Sequence, residues 1–196
     1  MFLSDSGDNP GAGGTTDVPV LLEELLSRKV KRVVVASIWD VDAVQRCISA
    51  GIACSVTLPV GGKLDTVHGN PLSVTGTVRS ITDGVPYQGG VRTLGFRGKM
   101  GPVVILNIDG LDLVLTSTRH SFVDPVQLRD LGLEPLDYRI VVLKRGYLTA
   151  PFQAISQRSI LALSPGATNC DVTQMTFRRV GRPMYPLDPD ATWTPA

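Results

Sequence analysis

Metal-binding side chains are scarce in this sequence. It holds two histidines, His68 and His120, and three cysteines, Cys47, Cys54 and Cys170. An odd number of cysteines without a CxxC pair fits neither a disulfide framework nor a thiolate zinc site. The histidines stand far apart beside turn and strand-end residues. No HExxH pair places two of them on one helical turn, so each is expected at the surface rather than as a ligand. A GxSxG nucleophile elbow is also missing, which removes the usual α/β-hydrolase chemistry. Charge of either sign is not in excess: the net charge is +1, which gives no electrostatic case for a nucleic-acid or anionic-membrane partner. No basic leader precedes an apolar run, and no apolar run approaches bilayer length. A soluble chain in a reduced, cytoplasmic setting is the expectation. Internal repeats and low-complexity linkers are absent as well.

What is present is an ordinary globular balance, with 43% hydrophobic and 19% charged residues over 196 positions, enough for one full core. Short apolar runs alternate with helical patterns. "MFLSD" reads as the end of a strand. Thr16 or Asp17 is placed to cap a helix carrying Val20, Leu21, Leu22, Leu25 and Leu26 out to about Lys29, with Pro19 in its first turn. "VKRVVVASI" (30–38) reads as a strand covered on both faces. Asp40 or Asp42 caps a second helix in which Val44, Cys47 and Ile48 share one side, and Gly51 ends it. "ACSVTLPV" (53–60) reads as a third strand, and right-handed crossovers would make these three parallel.

The middle is rich in strands, 72–82 and 102–118, with Asp109-Gly110 as a hairpin turn. Between them, "YQGGVRTLGFRGKMG" (87–101) reads as an irregular loop or hairpin tip. The last third returns to alternation. A short helix is capped by Asp124, starts at Pro125 and stops at Gly132; a strand follows at 138–144, then a helix in "PFQAISQ" and a strand in "SILALS". The expected fold is one α/β domain of three-layer type with a mixed sheet, a β-α-β-α-β start and added antiparallel hairpins. It spans residues 1–188, and an irregular tail fills 189–196.

The stretch with most chemical promise is the opening loop, "SDSGDNPGAGGTTD" (4–17). Glycines between a strand and a helix let the backbone approach a ligand. The loop fails the specific templates, however. Gly14 is followed by Thr15 and Thr16 rather than the Lys-Ser/Thr of a P-loop, and Thr16 stands where a dinucleotide fingerprint needs glycine. Asp5, Asp8 and Asp17 would oppose an anion. A loop packed tightly over the sheet edge fits the pattern equally well. A second cluster, Lys144, Arg145 and Tyr147, follows the strand "RIVVL", and strand C-terminal ends are where α/β sheets gather ligand sites. Were the first strand parallel to it, both clusters would share one edge.

Seven segments in order carry a resemblance: "DNPGAGGTTD", "LPVGGKLD" (58–65), "GNPLSVTGTVRSITDG" (69–84), "DLVLTSTRHSFVDPVQLRDLGLEP" (112–135), "VLKRGYL" (142–148), "LSPGAT" (163–168) and "FRRVGRPMYPLD" (177–188). Together they resemble the C-terminal domain of the MlrC family of microcystinase-C-like metallopeptidases. That resemblance implies hydrolysis of peptide or amide bonds by a metal-activated water, with zinc held mainly by an N-terminal domain or subunit that would be this chain's partner. It also implies that the opening loop faces the cleft between the two domains. Asp8, Asn9, Gly11, Gly13, Gly14, Lys144 and Tyr147 are then the candidate substrate-binding residues, with no metal ligand among them. Some relatives carry a histidine-containing segment after the strand that ends in "VLKRGYL"; Gly146, Tyr147 and Leu148 stand here, which argues against a microcystin-specific role. On this reading the chain alone is inactive. Three other readings are carried alongside: a stand-alone small-ligand binding domain, an independent hydrolase using Asp5, Asp8 and one histidine, and a homo-oligomer.

Overall fold

The computed structural model describes residues 1–83 and 101–192. The glycine-rich loop expected at 87–101 therefore falls outside the described residues except for Gly101, as do Gly84 and the last four positions of the tail. Eight strands form one sheet: β1 (Phe2–Asp5), β2 (Val33–Trp39), β3 (Ser55–Val60), β4 (Leu72–Thr82), β5 (Val103–Ile108), β6 (Leu111–Thr116), β7 (Ile140–Leu143) and β8 (Ser159–Ala162). Their spatial order is β3-β4-β5-β6-β2-β7-β1-β8. From β6 to β8 all neighbours are parallel, and from β3 to β6 all are antiparallel.

Helices cover both faces, so the three-layer expectation holds. α1 (Val20–Ser27) and α2 (Val41–Ala50) lie on one side. There Leu22, Leu25, Val44 and Cys47 pack with Val33, Val35, Leu113 and Val142. α3 (Pro125–Asp130) and α4 (Ala150–Ile155) lie on the other. There Leu128 and Phe152 pack with Phe2, Val34, Val114 and Leu143. The period-2 alternation of β2 thus feeds two cores, which is why its sequence is a nearly unbroken β-branched run. Each fully buried Leu or Phe in these cores contributes about 1.5–3 kcal/mol.

Local signals behave largely as their chemistry predicts. Asp40 caps α2 by accepting from the Ala43 amide at 3.0 Å. Asp124 and Gln127 form a reciprocal capping box on α3. Asp109 and Gly110 take φ of 48° and 85°, the two left-handed residues that a tight hairpin turn demands.

Two expectations are corrected. α1 begins after Pro19 with no side-chain cap, because Asp17 is drawn elsewhere. Its carboxylate accepts the amides of Lys63 (2.9 Å), Leu64 (2.6 Å) and Asp65 (3.3 Å). And β3 is not parallel to β2. It is reached from β6 through three antiparallel steps and lies at the far edge of the sheet. The reason lies in β4, which serves two partners: Leu72–Thr77 pairs with β3 and Thr77–Thr82 pairs with β5. α2 packs over β3 to β6, and the β3–β4 arm curls so that its loop returns to Asp17 and to the end of β2. Gly61 (φ 61°) and Gly62 (φ 58°) make that return possible. A Cβ on Gly61 would stand 2.3 Å from the Asp17 carbonyl oxygen, and one on Gly62 2.3 Å from the Asn70 carbonyl carbon.

Candidate functional site

The carboxyl ends of the parallel strands carry the loops with most chemistry, as they do in α/β sheets generally. β1 pairs with β7 in parallel, which brings the opening loop against Lys144. That lysine is buried, and its ammonium is fully engaged: Nζ donates to Asp5 Oδ2 at 2.9 Å and to the Val18 carbonyl at 2.6 Å, and lies 3.0 Å from Asp8 Oδ2. Burial alone would lower its pKa, but the two carboxylates outweigh that and hold it above the ordinary lysine value. Asp8 also accepts from the Thr16 amide (2.6 Å), the Thr15 hydroxyl (3.1 Å) and the Val18 amide (2.9 Å).

The other side of the loop is latched to the segment after β8. Ser164 donates its hydroxyl to Asp5 and accepts the Gly7 amide at 3.0 Å. Thr168 accepts from the Asn9 amide and donates to the Ser6 carbonyl, both at 2.8 Å. Close packing is enforced at Gly7, where a Cβ would sit 2.0 Å from the Ser164 carbonyl oxygen. Three further loops join. Arg119, after β6, donates to the Gly14 carbonyl at 3.4 Å; Arg145, after β7, donates to Ser121 Oγ at 2.6 Å; Asp40, after β2, accepts the Gly61 amide and the Lys63 ammonium.

The candidate residues therefore separate by environment. Asp8, Gly14 and Lys144 are buried, and the two charges are spent on the protein itself. Asn9 is half-buried beside Gly146, and its Oδ1 caps the short 3-10 turn Pro10–Ala12 through the Gly11 amide at 2.9 Å. Gly11 and Gly13 are exposed, but the amides of Gly11 through Gly14 all donate to Asn9 or Pro10. The turn thus offers no free N–H cradle to an anion. Tyr147 presents its aromatic ring to solvent, 69% exposed, with the Arg145 guanidinium 5.8 Å from its ring centre. A hollow of about 210 Å³ next to the cluster is lined by Trp39, Val41, Leu64 and Lys63 among others, smaller than a typical small-molecule pocket.

Neither histidine joins the Asp5–Asp8 carboxylate pair. His68 Nδ1 lies 2.8 Å from Asp65 Oδ2 in the β3–β4 loop. His120 departs from the surface position expected of it: it is half-buried, edge-on to Phe122, with Nε2 2.7 Å from Gln127 Nε2. Burial pushes its pKa down to about 4, and an acceptor Nε2 requires the neutral ring. Among the described residues no group of three or more His, Cys, Asp or Glu could hold a metal ion. Asp5 and Asp8 come nearest, but a lysine ammonium occupies the space between them, so the donor set does not fit a zinc centre.

Sequence reasoning takes Asp17 and Asp40 only as helix caps and gives Ser164 and Thr168 no role, although all four tie the loops together. Two signals were available. The aspartates follow or precede apolar segments where a solvated charge has little room, and Ser164 and Thr168 both lie within "LSPGAT".

The family model described as MlrC C-terminus matches residues 3–179. The chain belongs to that family. It is 30% identical over 189 residues to Microcystinase C of Sphingomonas sp., a match that takes in 96% of this chain and 36% of that protein. It also superposes on the crystal structure of a candidate metallopeptidase from Mesorhizobium sp. BNC1, with a TM-score of 0.76 and 26% identity over 98% of this chain and 38% of that one. This MlrC C-terminal chain thus spans little more than a third of the relatives it matches.

Proposed function

We propose that this chain is the C-terminal part of an MlrC-type metallopeptidase and supplies a wall of the substrate cleft to a zinc site held by the family's N-terminal part. The observation that carries this reading is the loop platform at the carboxyl edge. It is tied rigidly by buried charge, yet among the described residues it holds no donor set for the metal that the relatives' names imply. Asp8, Gly14 and Lys144 hold the platform; Asn9, Gly11, Gly13 and Tyr147 face the substrate. The substrate is a peptide or amide, met by shape and by an aromatic face rather than by anion-binding amides. Cys54 and Cys170 are exposed free thiols, which is compatible with a reduced cytoplasmic setting, and among the described residues no helix is long and apolar enough to cross a membrane.

Metal content by mass spectrometry after zinc exposure and dialysis tests the division of labour. The chain alone should retain far less than one zinc per molecule. Co-expression with the segment of Microcystinase C outside the match should restore both zinc retention and hydrolysis of a peptide amide. Near-stoichiometric zinc on the isolated chain would refute the reading and return the independent hydrolase. Small-ligand binding without any gain in hydrolysis would favour the stand-alone binding domain.

A further inference from the structure

The two edges of the sheet are built differently. β3, at one end, presents Ser55 and Thr57 to solvent and carries Pro59, the polar, interrupted kind of edge that does not recruit another strand. β8, at the other end, is Ser-Ile-Leu-Ala, with neither charge nor proline, and Ile160 and Leu161 are 40% and 48% exposed. A strand in a parallel sheet is normally covered on both faces. The exposure continues beyond the strand. Among the described residues, eight of the fifteen exposed large hydrophobic side chains fall between Ile160 and Tyr185, including Leu163, Met175 and Phe177. That concentration is what an unfilled contact looks like, rather than the scattered exposure of an ordinary surface.

Charge narrows the occupant. Arg158, Arg178 and Arg179 flank the apolar positions, and none of them makes an ion pair among the described residues; the one salt bridge in this stretch joins Arg182 to Asp188. Most of the stretch lies inside the matched family segment 3–179, whereas 64% of Microcystinase C lies outside the match. The same stretch is fixed to the opening loop through Ser164 and Thr168. Whatever covers it therefore stands beside the candidate cleft.

We propose that the free edge of β8 and the arm from Leu163 to Tyr185 form the seat for the N-terminal part of the MlrC protein. The occupant presents an apolar segment that pairs with the β8 edge and carboxylates that meet Arg158, Arg178 and Arg179. This rests on the two-part reading above and assigns it a surface.

The test is co-expression of this chain with the segment of Microcystinase C outside the match, followed by measurement of the dissociation constant and the mass of the complex in solution. Leu161→Asp and Phe177→Asp should each weaken the complex about tenfold or more, since each removes a buried apolar side chain from the contact. Leu136→Asp, at another exposed apolar position, should leave it unchanged. All three variants should melt with the unaltered chain, because the positions are exposed within it. A complex that ignores Leu161→Asp and Phe177→Asp would overturn this surface while the two-part reading stands. No complex, with either a monomer or an arm-dependent homodimer, would overturn both.

Discussion

Replacing Lys144 with methionine tests the physical claim on which the platform rests. The methionine keeps most of the aliphatic volume and deletes the ammonium. Asp8 would keep three donors, from Thr15, Thr16 and Val18, but Asp5 would keep only the Ser164 hydroxyl, and the Val18 carbonyl would lose its 2.6 Å partner. Removing one partner from a buried ionic group leaves uncompensated charge and costs about 3–5 kcal/mol. For a domain of this size that is roughly 6–20 °C in the melting midpoint. Thermal unfolding followed by circular dichroism reads it directly. Because the folded pKa of Lys144 is raised, its contribution is complete below the unfolded value, near ~10.4, and is lost only as pH climbs through the folded one. The gap between Lys144→Met and the unaltered chain should therefore stay flat from about pH 6 to 9 and close in stronger alkali. A variant that melts within a degree or two of the unaltered chain would refute the argument. It would mean that the desolvation of three charges cancels their attraction.

Ser164→Ala should cost about 1–3 kcal/mol, because it orphans the buried Gly7 amide, and should loosen the opening loop toward proteolysis; an unchanged melting midpoint and cleavage rate would count against the latch. Asp17→Ala should speed amide exchange at Lys63, Leu64 and Asp65 while leaving the strands of the core protected, as read by hydrogen-exchange NMR. His120 is held neutral, with its pKa depressed to about 4, so the unfolded chain binds the extra proton first. Stability should be intact above about pH 6.5 and fall as pH drops from there toward 4, and His120→Gln should flatten that slope in melting curves. Tyr147→Ala should leave stability unchanged, since the side chain is exposed, but raise KM for a peptide amide in the reconstituted two-part protein; unaltered kinetics would remove Tyr147 from the cleft.

Periodicity and turn chemistry determined most of the secondary structure. β-branched runs, Asp caps, Pro at helix starts and the Asp109-Gly110 turn act within a few residues, so they can be read without knowing the fold. The ordered motifs determined the family in the same way. What the sequence could not decide was partnership between distant residues. Asp17 has the chemistry of a helix cap and becomes the acceptor for a loop some 46 residues away, because burial offered it three amides at once. β3 has the position of a third parallel strand and becomes an antiparallel edge, because β4 is long enough to serve two neighbours. Asp8 and Lys144 read as candidate ligand groups and become a buried pair once β1 lies beside β7. The single chain specifies its local conformations by short-range sterics and hydrogen bonding. Which charges meet, and which side chains remain for a substrate or partner, is set only when the sheet order closes.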